Sequence, residues 1–320
     1  MWPTGASLSE TKRRVFLHFD TDFVEDGRAK FPEVEFISVP RTGPLPDGVT
    51  GEALLTFAWG TGNLAEVVER GVQWVHTIGT GVDRFPMDAI GDRILTCARG
   101  ASAVPIAEWT LAMMLAFEKN LPDSWSKDVP EQWNMATLGG LDGKTLGLVG
   151  LGSIGEAIAK RAEVFGMKIV ATRRSNAPSA LSCVEVVPKL EDVLAQADHI
   201  VVAAAATPET NKLIDANALA HCKPGAHLVN IARGSIVDQD AVRSALDRGQ
   251  LARASLDVCE PEPLPEGHWL YTHPKVFLSP HISWAAPGAL DGIRATFYRN
   301  LRRYLDGDPL EAVVDRVRGY

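Results

Sequence analysis

A glycine-rich turn is the strongest chemical signal in the sequence. Thr145–Gly155 has the letters TLGLVGLGSIG, a Gly-x-Gly-x-x-Gly pattern. An apolar strand is predicted before the pattern and an amphipathic helix after it, the context that this motif requires. The first glycine permits a tight turn, the second lets a pyrophosphate approach the backbone, and the third allows close helix–strand packing. Because free N–H groups at a helix start favour negative charge, we predict a dinucleotide site rather than a plain turn without a ligand. Its predicted contacts are Gly150, Gly152, Ser153, Ile154 and Gly155.

The end of the next predicted strand carries positive charge. Arg173, Arg174 and Ser175 stand there, with no acidic residue beside them. An NAD site normally places Asp or Glu about 20 residues after the motif, to bind the ribose 2′-hydroxyl. Arginine instead binds phosphate through bidentate, charge-assisted hydrogen bonds. These three residues therefore predict a site that prefers NADP(H) over NAD(H), the alternative being a solvated surface pair of arginines.

Three later segments each follow a predicted strand and each contain a residue suited to catalysis. They are NIARGSIVD with Arg233, DVCEPEPLP with Glu262, and SPHISW with His281. In a doubly wound sheet the carboxyl ends of the strands line the ligand crevice. We therefore expect these three side chains to converge on one site. Taken singly, Arg233 is equally well explained by a structural ion pair and His281 by a buried core position.

Taken together and in this order, the motifs resemble those of the D-isomer-specific 2-hydroxyacid dehydrogenases. The resemblance covers nearly the whole chain, with GTGVD at Gly79–Asp83, a long apolar helix, the glycine motif and the three later segments. Within that family the arginines after the second nucleotide-domain strand are most similar to the glyoxylate/hydroxypyruvate reductase branch.

The resemblance implies a role for each of the three catalytic candidates. His281 is the general acid that protonates the carbonyl oxygen while hydride reaches the carbon, work that suits an imidazole. Glu262 orients the His281 ring, with Glu260 as the competing carboxylate. Arg233 holds the substrate carboxylate and polarises the carbonyl as negative charge develops.

The resemblance also assigns binding residues. Gly79, Thr80 and Gly81 form a turn whose backbone amides bind the substrate carboxylate, as successive amides in such a turn can. Trp59 either walls the substrate pocket or packs, and Trp284 either narrows the pocket, from its own or a neighbouring subunit, or packs on the following helix. Further predicted cofactor contacts are Thr207, Pro208, Ile231, Ala232 and Asp257, the last near the nicotinamide amide.

Short apolar strands alternate with helices along the chain, which indicates parallel sheets built from strand–helix units. We expect an α/β fold of two Rossmann-like domains with an interdomain cleft. The nucleotide domain, residues 102–285, is inserted into a substrate domain made of residues 1–101 and 286–320. The predicted helix Val104–Leu121 is apolar around most of its surface, so it should be buried between domains or against a second subunit. Because it resembles the family's dimerisation element, we expect a homodimer.

Composition excludes several other classes of protein. The 320 residues carry 32 Lys and Arg and 40 Asp and Glu, a net charge of −8. That balance argues against general nucleic-acid or anionic-membrane binding, and the apolar runs are far shorter than the roughly 20 residues of a membrane span. The N-terminal letters MWPTGASLSETKRR have no secretory h-region. The four cysteines have no metal-ligand spacing, so we expect a reduced, cytoplasmic protein without a metal. They are Cys97, Cys183, Cys222 and Cys259.

The expected function is NADPH-dependent reduction of a short 2-keto acid, of the glyoxylate or hydroxypyruvate type, to the D-2-hydroxy acid. One alternative is a dehydrogenase for a bulkier aryl or branched 2-keto acid. Another, of a different class, is a nucleotide-sensing interaction protein like the C-terminal-binding co-repressors. Intact Arg233, Glu262 and His281 do not separate these two classes.

Overall fold

The structure, a computed structural model, describes residues 12–19, 21–129, 132–175 and 177–320. These residues form two compact units, one made of the described residues up to Arg99 with Asp291–Tyr320, the other of Gly100–Leu290. Each unit contains one parallel sheet, so the predicted α/β fold class is confirmed. Residues 1–11, which hold most of the segment used to argue against a secretory signal, lie outside the described part.

The strands are β1 (Arg13–Leu17), β2 (Val34–Ser38), β3 (Ala53–Thr56), β4 (Trp74–Thr77), β5 (Ile94–Cys97), β6 (Thr145–Val149), β7 (Lys168–Thr172), β8 (Val184–Val186), β9 (His199–Val202), β10 (Ala226–Asn230), β11 (Leu251–Leu256) and β12 (Val276–Leu278). The helices are α1 (Thr21–Lys30), α2 (Leu64–Glu69), α3 (Ala103–Glu118), α4 (Ser153–Val164), α5 (Leu190–Leu194), α6 (Ala216–Ala220), α7 (Gln239–Asp247) and α8 (Ala289–Asp306).

The first unit has a five-stranded sheet in the order β2-β1-β3-β4-β5. All of its strand pairs are parallel. Its inner strands β3 and β4 are buried at every residue, as expected where a parallel sheet is covered on both faces. The strand order reverses between β1 and β3, and ligands of such sheets bind outside the carboxyl ends at that reversal.

The second unit has a seven-stranded parallel sheet in the order β12-β11-β10-β9-β6-β7-β8. Its central strands β9 and β10 are fully buried. Here the strand order reverses between β6 and β9. The glycine motif follows β6, so it lies at the point of the sheet where a dinucleotide site is expected.

Helix α3 is shorter than the predicted Val104–Leu121. It ends at Glu118 because Asn120 adopts a left-handed φ of +49°. The N–H of Asn120 donates to the carbonyl of Phe117, and that of Leu121 to the carbonyl of Ala116. This pair of bonds is the Schellman motif, which stops a helix. One face of α3 is buried in the second unit, while Val104 is 47% exposed.

Three elements were not predicted from the sequence: α1, β8 and α6. Helix α1, with the letters TDFVEDGRAK, has few apolar residues and a central glycine, and both features weaken the helical pattern. Strand β8 has only three residues. No helix of the described residues is long and apolar enough to cross a membrane.

Candidate active site

The glycine turn after β6 has the geometry of a phosphate cradle. Gly150 has a φ of +102°, and a Cβ there would lie 2.6 Å from the backbone nitrogen of Ala204. A Cβ on Gly155 would lie 2.7 Å from the carbonyl oxygen of Gly150, so only glycine lets α4 start so close to β6. A Cβ on Gly152 would meet nothing within 4 Å. Among the residues that the structure describes, no side chain caps α4, so its first amides remain available to a ligand, as a bound dinucleotide pyrophosphate requires.

The three residues after β7 lie at the same carboxyl edge of the sheet. Arg174 and Ser175 are exposed and Arg173 is half-buried. The charge of Arg174 helps to lower the pKa of Glu209, although the main cause is a hydrogen bond from the Thr207 side chain. The fold therefore places the carboxylate of Glu209 near Arg174, although Glu209 is far from Arg174 in the sequence.

The loop after β9 places Thr207 and Pro208 at this edge too. Thr207 caps a short 3-10 helix, Pro208–Thr210, and its N–H donates to Thr210 Oγ1 at 2.8 Å. The loop is thus held by its own side chains. Its predicted contact with a cofactor stays a prediction.

Arg233 follows β10 in a turn that Asn230 fixes. The amide of Asn230, which is buried, donates to the carbonyl of Arg233 at 2.9 Å and accepts from the N–H of Ala232 at 3.1 Å. Nη1 of Arg233 donates to the carbonyl of Ala232 at 2.7 Å. Ile231 and Ala232 are buried at the strand end. Asn230 is thus a positioning residue that the sequence did not single out.

The structure brings His281 and Glu262 together. Nδ1 of His281 lies 3.1 Å from Oε2 of Glu262. The other carboxylate oxygen of Glu262 accepts the N–H of Cys259 at 3.1 Å. Because a carboxylate only accepts hydrogen bonds, Nδ1 carries the hydrogen. In the neutral ring Nε2 is then the nitrogen that can accept a proton.

Glu260, the competing residue, is bonded to Gln239 through its backbone. Its backbone carbonyl accepts from Gln239 Nε2 at 2.7 Å, and its N–H donates to Gln239 Oε1 at 3.0 Å. A Cβ on Gly234 would lie 2.0 Å from the carbonyl carbon of Cys259. This close approach and the two amide bonds fix the loop that carries Glu262. Gln239 and Gly234 were not predicted, because nothing in their spacing links them to that loop.

His281 itself has a left-handed φ of +56°, uncommon for a residue with a side chain. Its N–H donates to the carbonyl of Asp257 at 2.8 Å. The Asp257 carboxylate is buried and accepts three further bonds, from Ser279 Oγ at 2.6 Å, from the Ile282 N–H at 2.8 Å and from the Ser283 N–H at 2.9 Å. Both oxygens therefore bind residues 279–283, although the resemblance implied a contact with the cofactor. The geometry makes Asp257 a positioning residue for His281.

Trp284 is also tied to this loop. Its indole N–H donates to the carbonyl of His281 at 3.1 Å, and the residue is 38% exposed. Trp284 thus supports the backbone of His281, and a role in the substrate pocket stays a prediction.

The remaining predicted substrate residues belong to the first unit. The turn Gly79–Gly81 follows β4, and Thr80 Oγ1 donates to the carbonyl of Ala98 at 3.3 Å. Within the described residues nothing accepts the backbone N–H of Thr80 or Gly81, as an anion-binding turn requires. Trp59 is 65% exposed and stacks on Phe57 at 5.2 Å between ring centroids.

Comparison with known proteins shows the family to which the chain is related. Residues 111–283 match the model of the D-isomer specific 2-hydroxyacid dehydrogenase NAD binding domain. The chain is 30% identical over 291 residues to a D-3-phosphoglycerate dehydrogenase of Methanocaldococcus jannaschii, covering 88% of this chain and 55% of that one. It is 37% identical over 216 residues to a glyoxylate reductase of Thermococcus gammatolerans, covering 65% and 64%. The chain thus spans between half and two thirds of these curated relatives.

A solved structure is similar along its whole length. It is the D-isomer specific 2-hydroxyacid dehydrogenase from Xanthobacter autotrophicus Py2, in complex with NADPH and MES. The TM-score is 0.84 and the identity 27%, covering 97% of this chain and 99% of that one.

Proposed function

The chain belongs to the D-isomer specific 2-hydroxyacid dehydrogenase family, and we propose that it reduces a short 2-keto acid of the glyoxylate or hydroxypyruvate type to the D-2-hydroxy acid, with NADPH preferred over NADH. The observation that carries this proposal is the His281–Glu262 contact of 3.1 Å. It lies at the carboxyl edge of the sheet whose glycine turn fits a dinucleotide.

In this proposal each residue has a defined task. Bound NADPH supplies the hydride. Nε2 of His281 gives its proton to the carbonyl oxygen, so that the keto acid becomes a hydroxy acid. Glu262 accepts from Nδ1–H and so fixes the orientation of the ring. The guanidinium of Arg233 binds the carboxylate and the developing oxyanion, and the amides of Gly79–Gly81 bind a carboxylate.

The cofactor preference rests on Arg173, Arg174 and Ser175. A 2′-phosphate would meet two guanidinium groups, whereas a 2′-hydroxyl would lack the acceptor at the end of β7 that NAD sites provide. The Xanthobacter relative was solved with NADPH, which supports the same preference. The negative charge of Glu209 partly offsets the positive charge of Arg174. Arg173 should therefore contribute more than Arg174 to the discrimination between NADPH and NADH.

The predicted homodimer belongs to this proposal too. Helix α3 exposes Val104, and the segment that follows it exposes Trp125 by 66% and Trp133 by 74%. A second copy that packs on α3 would cover such apolar side chains. Light scattering on the purified protein tests this directly, and a monomer at micromolar concentration would refute it.

The activity is tested with a panel of 2-keto acids, each assayed with NADPH and with NADH. We expect reduction of glyoxylate and hydroxypyruvate, and its loss in His281→Ala. The matched control is His221→Ala, since His221 is an exposed histidine of the same unit. An enzyme that reduces no keto acid, or a His281→Ala variant that turns over like the wild type, would refute the proposal.

A further inference from the structure

The first unit contains a cavity at the reversal of its strand order. Its volume is about 330 Å³. It lies beyond the carboxyl ends of β2 and β3. One of its lining side chains, Arg41, donates a hydrogen bond to the carbonyl of His18, the residue that follows β1. Open α/β sheets bind ligands at such a reversal. We call it the Arg41 cavity, and its lining residues are Arg41, Thr42, Phe57, Trp59, Gly60, Thr61 and Gly62.

The Arg41 side chain is held in one orientation. Its Nε donates to the carbonyl of His18 at 3.2 Å. The guanidinium carbon lies 4.6 Å from the centroid of the Phe57 ring, which itself stacks on Trp59. Stacking leaves the in-plane N–H groups of a guanidinium available. Among the described residues nothing accepts from Nη1 or Nη2 of Arg41.

The loop that carries Arg41 is also fixed. Asn63, which is buried, donates from Nδ2 to the carbonyl of Pro40 at 2.9 Å and to that of Gly43 at 3.1 Å. These two carbonyls flank Arg41 and Thr42 on either side. The donors that face the cavity are therefore preorganised, which reduces the ordering cost of binding a ligand.

The charge around the cavity favours an anion. None of the described residues that line it is acidic, although the chain as a whole carries −8. The nearby His18 is buried, and burial together with the charge of Arg41 lowers its pKa to about 4. His18 is therefore neutral at pH 7. Among the described residues, Arg41 is therefore the charged side chain that lines the cavity, beside the rings of Phe57 and Trp59.

The cavity adjoins the turn assigned to the substrate carboxylate. A Cβ on Gly79 would lie 2.4 Å from Cβ of Ala58, the residue before Trp59. Strands β3 and β4 are direct neighbours in the sheet. A ligand that places one carboxylate on the amides of Gly79–Gly81 can therefore extend along the sheet edge, past Trp59, toward Arg41.

We propose that the Arg41 cavity binds the far end of the substrate and selects 2-keto acids that carry a second acidic group there, a carboxylate or a phosphate. This inference rests on the proposed reduction of a 2-keto acid. It extends the substrate class beyond glyoxylate and hydroxypyruvate, which have no second acidic group. The planar guanidinium provides two parallel donors for such a group, while Trp59 and Phe57 contact the carbon chain between the two acids.

The test compares keto acids of matched length with and without a terminal charge. 2-Ketoglutarate and oxaloacetate are set against 2-ketovalerate and 2-ketobutyrate, and 3-phosphohydroxypyruvate against hydroxypyruvate. We expect kcat/KM at least about tenfold higher for the charged member of a pair, a factor typical of one partly exposed charged hydrogen bond. Comparison of the pairs that differ by a carboxylate with the pair that differs by a phosphate shows which of the two acidic groups the cavity prefers.

Arg41→Gln should remove the preference by raising KM for the charged substrates, with glyoxylate turnover changed less than about twofold since glyoxylate is too short to reach Arg41. Arg41→Lys keeps the charge but loses the fork, so it should retain only part of the preference. Arg28→Gln, which changes an exposed arginine of the same unit, is the control. Melting curves check that the variants fold.

Three outcomes are distinguishable. Reduction of glyoxylate without any preference for charged substrates, and no effect of Arg41→Gln, would overturn this inference and leave the proposed function standing. If no keto acid is reduced, the proposed function fails, and calorimetric titration of 2-ketoglutarate into the wild type and Arg41→Gln still tests the cavity. Equal affinities in that titration would overturn the inference.

Discussion

The sharpest test of the structure concerns Asp257, because two roles for it predict opposite kinetics. Its carboxylate accepts three hydrogen bonds from residues 279–283 at 2.6, 2.8 and 2.9 Å. Its backbone carbonyl accepts a fourth bond, from His281. If this cluster holds His281 in its left-handed conformation, then Asp257→Asn should damage the chemical step and not the binding of the cofactor.

The size of the effect follows from the contacts. Asparagine keeps an acceptor for Ser279 and Ile282, but its NH₂ group faces the N–H of Ser283, so that buried donor loses its partner. Losing a charged hydrogen bond costs about 1.5–3 kcal/mol, and an unsatisfied buried donor about 1–3 kcal/mol. Because part of this cost relaxes through movement of the loop, we expect a destabilisation of about 2–3 kcal/mol. A displacement of His281 by about 1 Å would lower kcat by about a hundredfold.

The assay combines urea unfolding with steady-state kinetics on the best keto acid. We expect a lower urea midpoint, a lower kcat and a KM for NADPH within about threefold of the wild type. Ser279→Ala, which removes only one of the three bonds, should show a small fraction of both effects. A variant with wild-type stability and kcat but a raised KM for NADPH would refute this reasoning and restore the role in cofactor binding.

Four further predictions concern the site itself. His281→Ala should lower kcat by about 10²–10⁴-fold and leave NADPH binding intact, since it removes the proton donor. Near wild-type turnover of the purified variant would exclude His281 as the general acid. Glu262→Gln should lower kcat less than His281→Ala does and leave KM for NADPH unchanged, because an amide still accepts from the ring but holds it less firmly than a carboxylate; a wild-type kcat would point to another partner. Arg233→Lys should raise KM for the keto acid and lower kcat with little change for NADPH, whereas equal weakening of both ligands would indicate a structural role. The wild type should prefer NADPH over NADH by at least about tenfold in kcat/KM, and added salt should reduce this preference. Arg173→Asp should reverse it. Equal use of both cofactors by the wild type would contradict our interpretation of this arginine.

The parts of the fold that the sequence predicts well are those with strong local signals. The apolar run TLGLV before Gly150 predicts β6, because a strand that is buried on both faces consists mostly of apolar residues. The helical spacing of apolar residues after the motif predicts α4. Helix α1 was not predicted, because its burial depends on tertiary contacts. One of these is with the Phe36 ring, which would lie 3.0 Å from a Cβ on Gly27. Local propensity says little about such contacts.

The same distinction applies to the site. The candidates that carry the chemistry follow strand ends, where a motif and a resemblance identify them. The residues that position them were either missed, as Asn230 was, or assigned another role, as Asp257 was assigned to the cofactor. Asp257 reaches 26 residues along the chain to Ser283, and Asn230 acts within a turn where a polar side chain has no distinctive spacing. Arg41 lies in a loop rich in proline and glycine, and only the folded sheet places it beside Phe57.

Residue types alone also fail to separate a catalytic pair from a structural one. The second unit contains two histidine–glutamate contacts of nearly equal length, His281–Glu262 at 3.1 Å and His199–Glu118 at 2.9 Å. The His199 and Glu118 side chains are 0% and 2% exposed, and Lys144 also contacts Glu118 at 2.8 Å. His199 is the first residue of β9, at the amino edge of the sheet, whereas His281 follows β12 at the carboxyl edge and its side chain is 44% exposed. A general acid must reach both its substrate and a source of protons, so position in the sheet and exposure, which only the fold supplies, favour His281 over His199 as the general acid that we propose.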